Sequence, residues 1–504
     1  MTRSFQGDPS PDSRDPFVSS RLQKKIAWIA ILGLIPITAL GIFASHPIFR
    51  LVFPLACFVV GILLYQKYPP LYVGFTWWIW FLTPLVRRLI DYRVGYEDQS
   101  LVLMAPFLVT LICFPSFFRY LFTGYPYRPG SLPFILGFAG IVYSFLLGLA
   151  GGLERGFTLQ IVRMPIEWLS PLIFGFYLFS KWREYPQFKK TIERTFFWGA
   201  FAIGIYGLVQ FCLLPPWDLL WQENALKLGF GNVGTPAPLL LNVWSTLNSP
   251  GALANVMIAC LLLLFNHKNV LRIPLAIVCI LLLLLSDNRT AWGSFVVGCI
   301  LLIGSLKSHL QIRIILIALV ILLSAIPLVA MEPFASKISE RFQTLSNVKE
   351  DNSFQARQEL YDHLLDRALI NPIGYGMTSL ELADSGVLVV FYEMGWLGAA
   401  FYVGGYISMF LNLFQNSRVR ADAFLVASRA VSVSLFVMIP NGNSLTAMPG
   451  VMLWSFAGIA IAGNQYYLAR SIEAKKSLEN SPPLLAYRIS RNGTDSPETG
   501  EGTR

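Results

Sequence analysis

Apolar runs of membrane-spanning length recur from one end of this chain to the other, and that feature constrains the fold before any other. Crossing ~30 Å of hydrocarbon takes about 20 helical residues. Inside lipid the backbone must satisfy its own hydrogen bonds, so uninterrupted runs of this length form helices, not strands of a barrel. Fourteen such segments are visible, near 26–44, 47–65, 71–86, 101–118, 132–150, 161–179, 196–214, 250–265, 273–285, 291–306, 313–330, 386–411, 423–440 and 449–468. One or two of them could be half-helices. The expected class is therefore all-α: a polytopic integral membrane protein with about 12–14 transmembrane helices and a large extracytoplasmic loop. A composition of 55% hydrophobic and 13% charged residues, with a mean hydropathy of +0.56, excludes a soluble globule.

Polar sequence then divides the chain. Residues 1–25 read as a disordered cytoplasmic N-terminus, 26–468 as the membrane domain, and 469–504 as a disordered cytoplasmic tail rich in Pro, Ser and Asn. Arg21, Lys24 and Lys25 precede the first apolar run and hold that end inside, as a retained helix and not a cleaved signal. With both ends inside, most other cations fall in inner loops, among them Lys67, Arg119, Lys189, Lys190, Arg194 and Arg313. The exception is Arg87-Arg88 with Arg93, which this topology puts outside. Either that hairpin is misassigned or those cations face a ligand. The two longest loops, about 215–250 and 331–385, share the outer side; Trp217, Trp221 and Trp244 suit an interfacial aromatic belt, with sugar stacking as the alternative.

The formal net charge of +10 is explained by these loop cations, and no basic stripe with interleaved aromatics points to nucleic acid. Six cysteines lie inside apolar runs, none spaced CxxC, and four histidines include no HExxH pair. Neither a disulfide framework, a metal centre nor a cofactor is expected.

The stretch 331–384 is the longest polar excursion. Asn352 with Gln355 reads as a capped helix start, and Tyr361, Leu364, Leu365, Ala368 and Leu369 keep helical spacing up to Asn371-Pro372. The opposite face carries Arg357, Glu359, Asp362, His363, Asp366 and Arg367. Because the stretch holds five Lys/Arg and nine Asp/Glu, a net of −4, it does not simply collect anions. A phosphate site here has to use particular arginines. Arg341 and Arg357 are candidates, beside a solvated charged face as the alternative.

Two more places could carry chemistry. In Ser286-Asp287-Asn288-Arg289-Thr290-Ala291-Trp292 a guanidinium sits where one apolar run ends and the next begins. It either snorkels or pairs with Asp287, or it is a planar fork gripping phosphate oxygens. Arg163 and Glu167 stand four apart inside an apolar run and form either a structural ion pair or a substrate contact. Gly374-Tyr375-Gly376 reads as a turn, and Gly395 and Gly398 as sites of close helix packing.

Four segments together, NSPGALANVMIACLLLL, SDNRTAWGSFVVGCILL, RQELYDHLLDRALINPIGYG and DSGVLVVFYEMGWLG, resemble the O-antigen ligase and polymerase superfamily in order and in the large loop between them. The resemblance implies a metal-independent glycosyltransferase of the bacterial inner membrane. It would take a polyprenyl-diphosphate-linked glycan as donor and a glycan or lipid as acceptor, on the outer side, in surface polysaccharide assembly with flippase and chain-length regulator proteins. It implies that Arg289 and Arg357 hold the diphosphate. Where ligases of this family carry a His before the span after the loop, this chain has Asp384-Ser385. That departure favours a polymerase or a divergent exopolysaccharide enzyme. Asp384 becomes the candidate base, with His363 and Glu381 behind it; its plain alternative is a cap on the helix near Gly386. The contrasting expectation is an inorganic-carbon or other small-anion transporter, with Arg163, Glu167 and Arg289 along its path.

Overall fold

The structure is a computed structural model. It describes residues 16–123, 130–155, 159–265, 269–306, 308–332, 334–335, 338, 352–379, 385–415, 422–442 and 444–479. These form seventeen α-helices: α1 Pro16–Ala44, α2 Phe49–Lys67, α3 Pro69–Val94, α4 Met104–Leu111, α5 Phe114–Phe122, α6 Leu132–Arg155, α7 Leu159–Ser180, α8 Tyr185–Leu213, α9 Pro216–Lys227, α10 Pro250–Leu264, α11 Arg272–Leu285, α12 Arg289–Ser305, α13 Ser308–Ala330, α14 Asn352–Ile370, α15 Gly386–Phe414, α16 Ala423–Val437 and α17 Ala447–Glu479. Among the described residues there is no strand, only one isolated bridge between Gly234 and Leu241.

The expected all-α membrane architecture holds. Each of the fourteen apolar segments is helical, but not all are simple spans. Among the described residues eight helices are long and apolar enough to cross a membrane, or nine if α4 and α5, bent by 42° at their junction, count as one. Four apolar helices are shorter: α10, α11, α12 and the first part of α13. At 14–17 residues, α10, α11 and α12 are only about 21–26 Å long, short of ~30 Å of hydrocarbon. The chain ahead of α10 is folded in above them. Leu241, Val243, Trp244, Ser245 and Leu247 are buried, and Gln210 on α8 accepts the Trp244 and Ser245 amides while Val243 donates to Leu285. Irregular backbone at this depth is tolerable because protein groups take its hydrogen bonds.

The helices at both ends run beyond the apolar spans, the first of which begins at Lys25. Helix α1 begins at Pro16, inside the stretch read as disordered, and α17 runs eleven residues past 468 to Glu479. Residues such as Arg470, Glu473, Ala474, Lys475 and Lys476 are good helix formers, so a helix already nucleated in the bundle extends into the polar region.

The best-buried span is α17, which packs along α7 with almost no side chain between them. A Cβ on Gly175 would fall 2.5 Å from the Trp454 carbonyl oxygen, and one on Gly458 2.2 Å from that of Gly175. A similar seam joins α6 to α15: a Cβ on Gly140 would meet the Gly398 oxygen at 3.0 Å, and one on Gly405 the Pro133 oxygen at 2.9 Å. Small residues substitute for a hydrophobic driving force that lipid does not supply.

Side-chain contacts fix which loops share an end. At the start of α8, Tyr185 and Lys189 bind Asp422, the cap of α16, so α8 and α16 begin together. At the far end of α8, Phe211 stacks on Phe334 and Gln210 binds the 244–245 backbone. Both long loops therefore lie at that end, and α16 delivers its following turn, 438–446, to it as well.

Arg87 and Arg88 belong to the same end, and neither expectation for them survives. Arg88 is buried with its Nη1 2.9 Å from Asp218 Oδ1, and it also donates to the Ser245 carbonyl. The Arg88–Asp218 geometry is poor for a hydrogen bond, so charge holds the pair. Arg87 binds Asp91 at 3.1 Å and the Glu97 and Asp98 carbonyls. The hairpin is on the loop side as placed, but its cations tie α3 to α9 and to its own connection. Likewise Trp244 is fully buried against Trp221, and Trp217 donates to Tyr206. Trp221 and Trp244 are core of the loop domain and not a belt.

Candidate active site at the loop end

Three capped helix starts open at the loop end. Ser249 Oγ accepts the Ala252 amide at 3.1 Å for α10, Asn288 Oδ1 that of Ala291 at 3.1 Å for α12, and Ser385 Oγ that of Leu388 at 3.4 Å for α15. Helices α10 and α12 begin side by side, since Asn288 Nδ2 lies 3.7 Å from where a Gly251 Cβ would stand. The start of α15 reaches the same end because Gly386 donates to Gly442, in the turn after α16.

The Ser-Asp-Asn-Arg stretch makes a tight corner between α11 and α12. Ser286 Oγ donates back to Leu283, Asp287 takes a left-handed φ of 58°, and Trp292 Nε1 returns to the Leu283 carbonyl at 2.9 Å. Arg289 is thereby fixed as the first residue of α12, half-buried. A guanidinium beside a helix N-terminus combines two attractions for an anion, the side-chain charge and the helix dipole.

Helix α14 forms over the residues its capping and spacing predict, and Asn371 ends it by accepting the Ile373 and Gly374 amides. Its Tyr361 hydroxyl bonds Ser385 Oγ at 2.6 Å, which docks the loop helix on the start of α15. Arg357 lies four positions before Tyr361 in α14; its side chain is outside the described residues, as are Arg341, Glu381 and Asp384 entirely. His363 is exposed on α14. The cap of α15 is Ser385, so Asp384 is not needed for that task. On α7, Arg163 Nε and Glu167 Oε1 are 2.6 Å apart, with Glu167 the more buried partner.

Below the docked helix, Gly395 interrupts α15 with φ 60° and ψ −171°. The segment after α14 closes the gap: Tyr375 and Gly376 donate to the Tyr392 and Glu393 carbonyls, and Leu397 donates to Pro372. Met377 then bonds the Ser144 carbonyl on α6. Gly374 and Gly376, at φ 88° and 80°, are more than a turn, since a Cβ on either would stand 2.4 or 2.3 Å from the amide nitrogen of Gly395 or Gly148. Gly398 keeps the packing role expected of it, against Tyr143.

Glu393 escaped the sequence reading. It is buried at this break, and its carbonyl also accepts from Ser144 Oγ. The available signal was a lone carboxylate in an apolar run with Gly two residues on. What could not be read is that the two family-like segments NPIGYG and EMGWLG fold onto each other.

Residues 274–403, from α11 into the second half of α15, match the family described as O-antigen ligase. The match covers three of the four segments on which the resemblance rests; NSPGALANV precedes it. No curated protein matches the chain in sequence.

Proposed function

We propose that this chain, which carries the O-antigen ligase family's segment at residues 274–403, is a membrane glycosyltransferase. It polymerises or transfers polyprenyl-diphosphate-linked glycans on the extracytoplasmic face of the bacterial inner membrane. The observation that carries this reading is a juxtaposition at one end of the bundle. The matched segment places Arg289 at the capped start of α12, and it docks α14, which bears Arg357, on the capped start of α15.

In the reaction the bond between the anomeric carbon and the phosphate oxygen breaks, and its electron pair leaves with the diphosphate. Arg289 and Arg357 neutralise that growing charge, a stabilisation greatest in the transition state. The acceptor hydroxyl forms the new glycosidic bond and gives its proton to a base. Asp384 is the favoured base, since Ser385 already caps the helix it precedes; His363 and Glu381 follow. Arg341 adds a cation to the same loop. Arg163 and Glu167 form an ion pair on α7, and their part in substrate contact is not needed for this reading.

Broken helices also occur in transporters, where unwound carbonyls coordinate ions. Here the carbonyls at the Gly395 break accept from Tyr375 and Gly376, which argues against an ion path at that point. Deleting the gene tests the proposal: glycan chains should shorten or vanish from the surface while lipid-linked precursors accumulate. An unchanged surface glycan with normal precursors overturns it.

A further inference from the structure

The last turn of α14 and the bend that follows expose an apolar cluster unlike the rest of that helix. Ile370 is 80% exposed and Ile373 55%, with Leu369 beside them. The preceding turns present mainly Asp362, His363 and Asp366, and Arg367, the one charge in the last turn, has a stem long enough to snorkel toward the headgroups. In a soluble loop helix such a cluster would stand in water beside charges for no gain. Its neighbours suggest otherwise. Trp396 on α15 donates its indole N–H to the Leu369 carbonyl at 3.0 Å, and Leu397 donates its amide to Pro372. Trp396 is itself exposed and heads a stripe at helical spacing, through Val403, Ile407, Leu411 and Phe414, along a helix long and apolar enough to cross the membrane. In a bilayer that stripe would be the lipid face of α15, and the hydrogen bonds from Trp396 and Leu397 set the exposed cluster of α14 beside its first turn.

We infer that the C-terminal turn of α14, through Ile370 and Ile373, is seated in the acyl-chain region of the bilayer that α15 crosses. Trp396 marks the boundary, an apolar ring in lipid with its N–H on a protein carbonyl, as indoles do at membrane interfaces. The charged turns of α14 then lie at headgroup level, and Tyr361 pins the other end of the helix to Ser385. The helix is a loop element with its C-terminal end in the membrane. The inference does not depend on which reaction the site performs.

Collision accessibility of nitroxide labels tests it. In a cysteine-free full-length chain reconstituted in phosphatidylethanolamine/phosphatidylglycerol vesicles, labels are placed on Ile370→Cys and Ile373→Cys. Asp362→Cys serves as the polar, headgroup-level reference and Ile407→Cys as the lipid reference. The ratio of oxygen to nickel-chelate accessibility at 370 and 373 should match that at 407 and exceed that at 362 several-fold. A ratio equal to that at 362 overturns the inference, and so does protection from both reagents, which would mean that a second copy or another protein covers the patch. Should the cysteine-free chain not fold, a photoreactive benzoylphenylalanine at 370 in the natural background decides. A phospholipid adduct supports the inference; a protein adduct or none overturns it.

Discussion

On the proposed function, Arg289 is the residue on which the chemistry turns. If its planar fork holds the diphosphate, Arg289→Lys should abolish transfer although the charge is kept, because an ammonium cannot reproduce two parallel contacts. Donor binding and turnover should fall together. Asp384→Asn should behave differently: donor binding persists while transfer drops ~10²–10⁴-fold, the usual worth of a positioned base. Steady-state assays of both variants check this, and near-wild-type turnover of the Asn variant would pass the role to His363. The buried Arg88–Asp218 pair, by contrast, holds α3 to α9. Asp218→Asn leaves the Arg88 guanidinium buried without its countercharge and should cost about 3–5 kcal/mol. Arg88→Met with Asp218→Leu should cost less than either charge lost alone, as thermal unfolding in detergent can show. Asp422 gives a pH prediction. Burial alone would raise it, but the Lys189 charge and hydrogen bonds from Lys189, Tyr467 and Tyr185 hold it below the ordinary carboxylate value. A depressed carboxylate stabilises fully above its unfolded value of about 4, and that stability is lost as pH falls through the lower folded value. Asp422→Asn keeps the helix cap and should flatten the acid limb of stability against pH.

At the scale of elements, the sequence was most legible where periodicity and capping act locally. All fourteen apolar segments became helices, and α14 starts at Asn352 and stops at Asn371-Pro372 as its signals require. What stayed hidden was long-range. No local pattern distinguishes a Gly395 that lets helices pack from one that breaks a helix, because the break is stabilised by a backbone strap about twenty residues earlier in the chain. For the same reason the partner of Arg88 was hidden, since Asp218 lies 130 residues on, whereas the Arg87–Asp91 pair is a local i,i+4 contact that spacing alone allows. The strap makes its own prediction. Gly374→Ala and Gly376→Ala combine a left-handed φ with a Cβ driven into backbone, so each should destabilise by more than the ~1–3 kcal/mol of conformational strain alone. Gly33→Ala, with nothing within 4 Å, should be neutral or slightly stabilising. Melting temperatures of the purified variants separate these cases.

For the whole molecule, the bundle brings the capped starts of α10, α12 and α15, both long loops and the loop helix to one end, and the family match runs through most of the helices that build that end. This arrangement suits an enzyme that meets a membrane-borne donor from the side and an acceptor from above. The most direct measurement uses the purified full-length chain in vesicles, supplied with polyprenyl-diphosphate-linked glycan extracted from cells lacking the gene. The account predicts release of polyprenyl diphosphate coupled to a lengthened or newly linked glycan, lost in Arg289→Lys. Intact donor after incubation with a folded protein, alongside saturable bicarbonate uptake by the same vesicles, would contradict it.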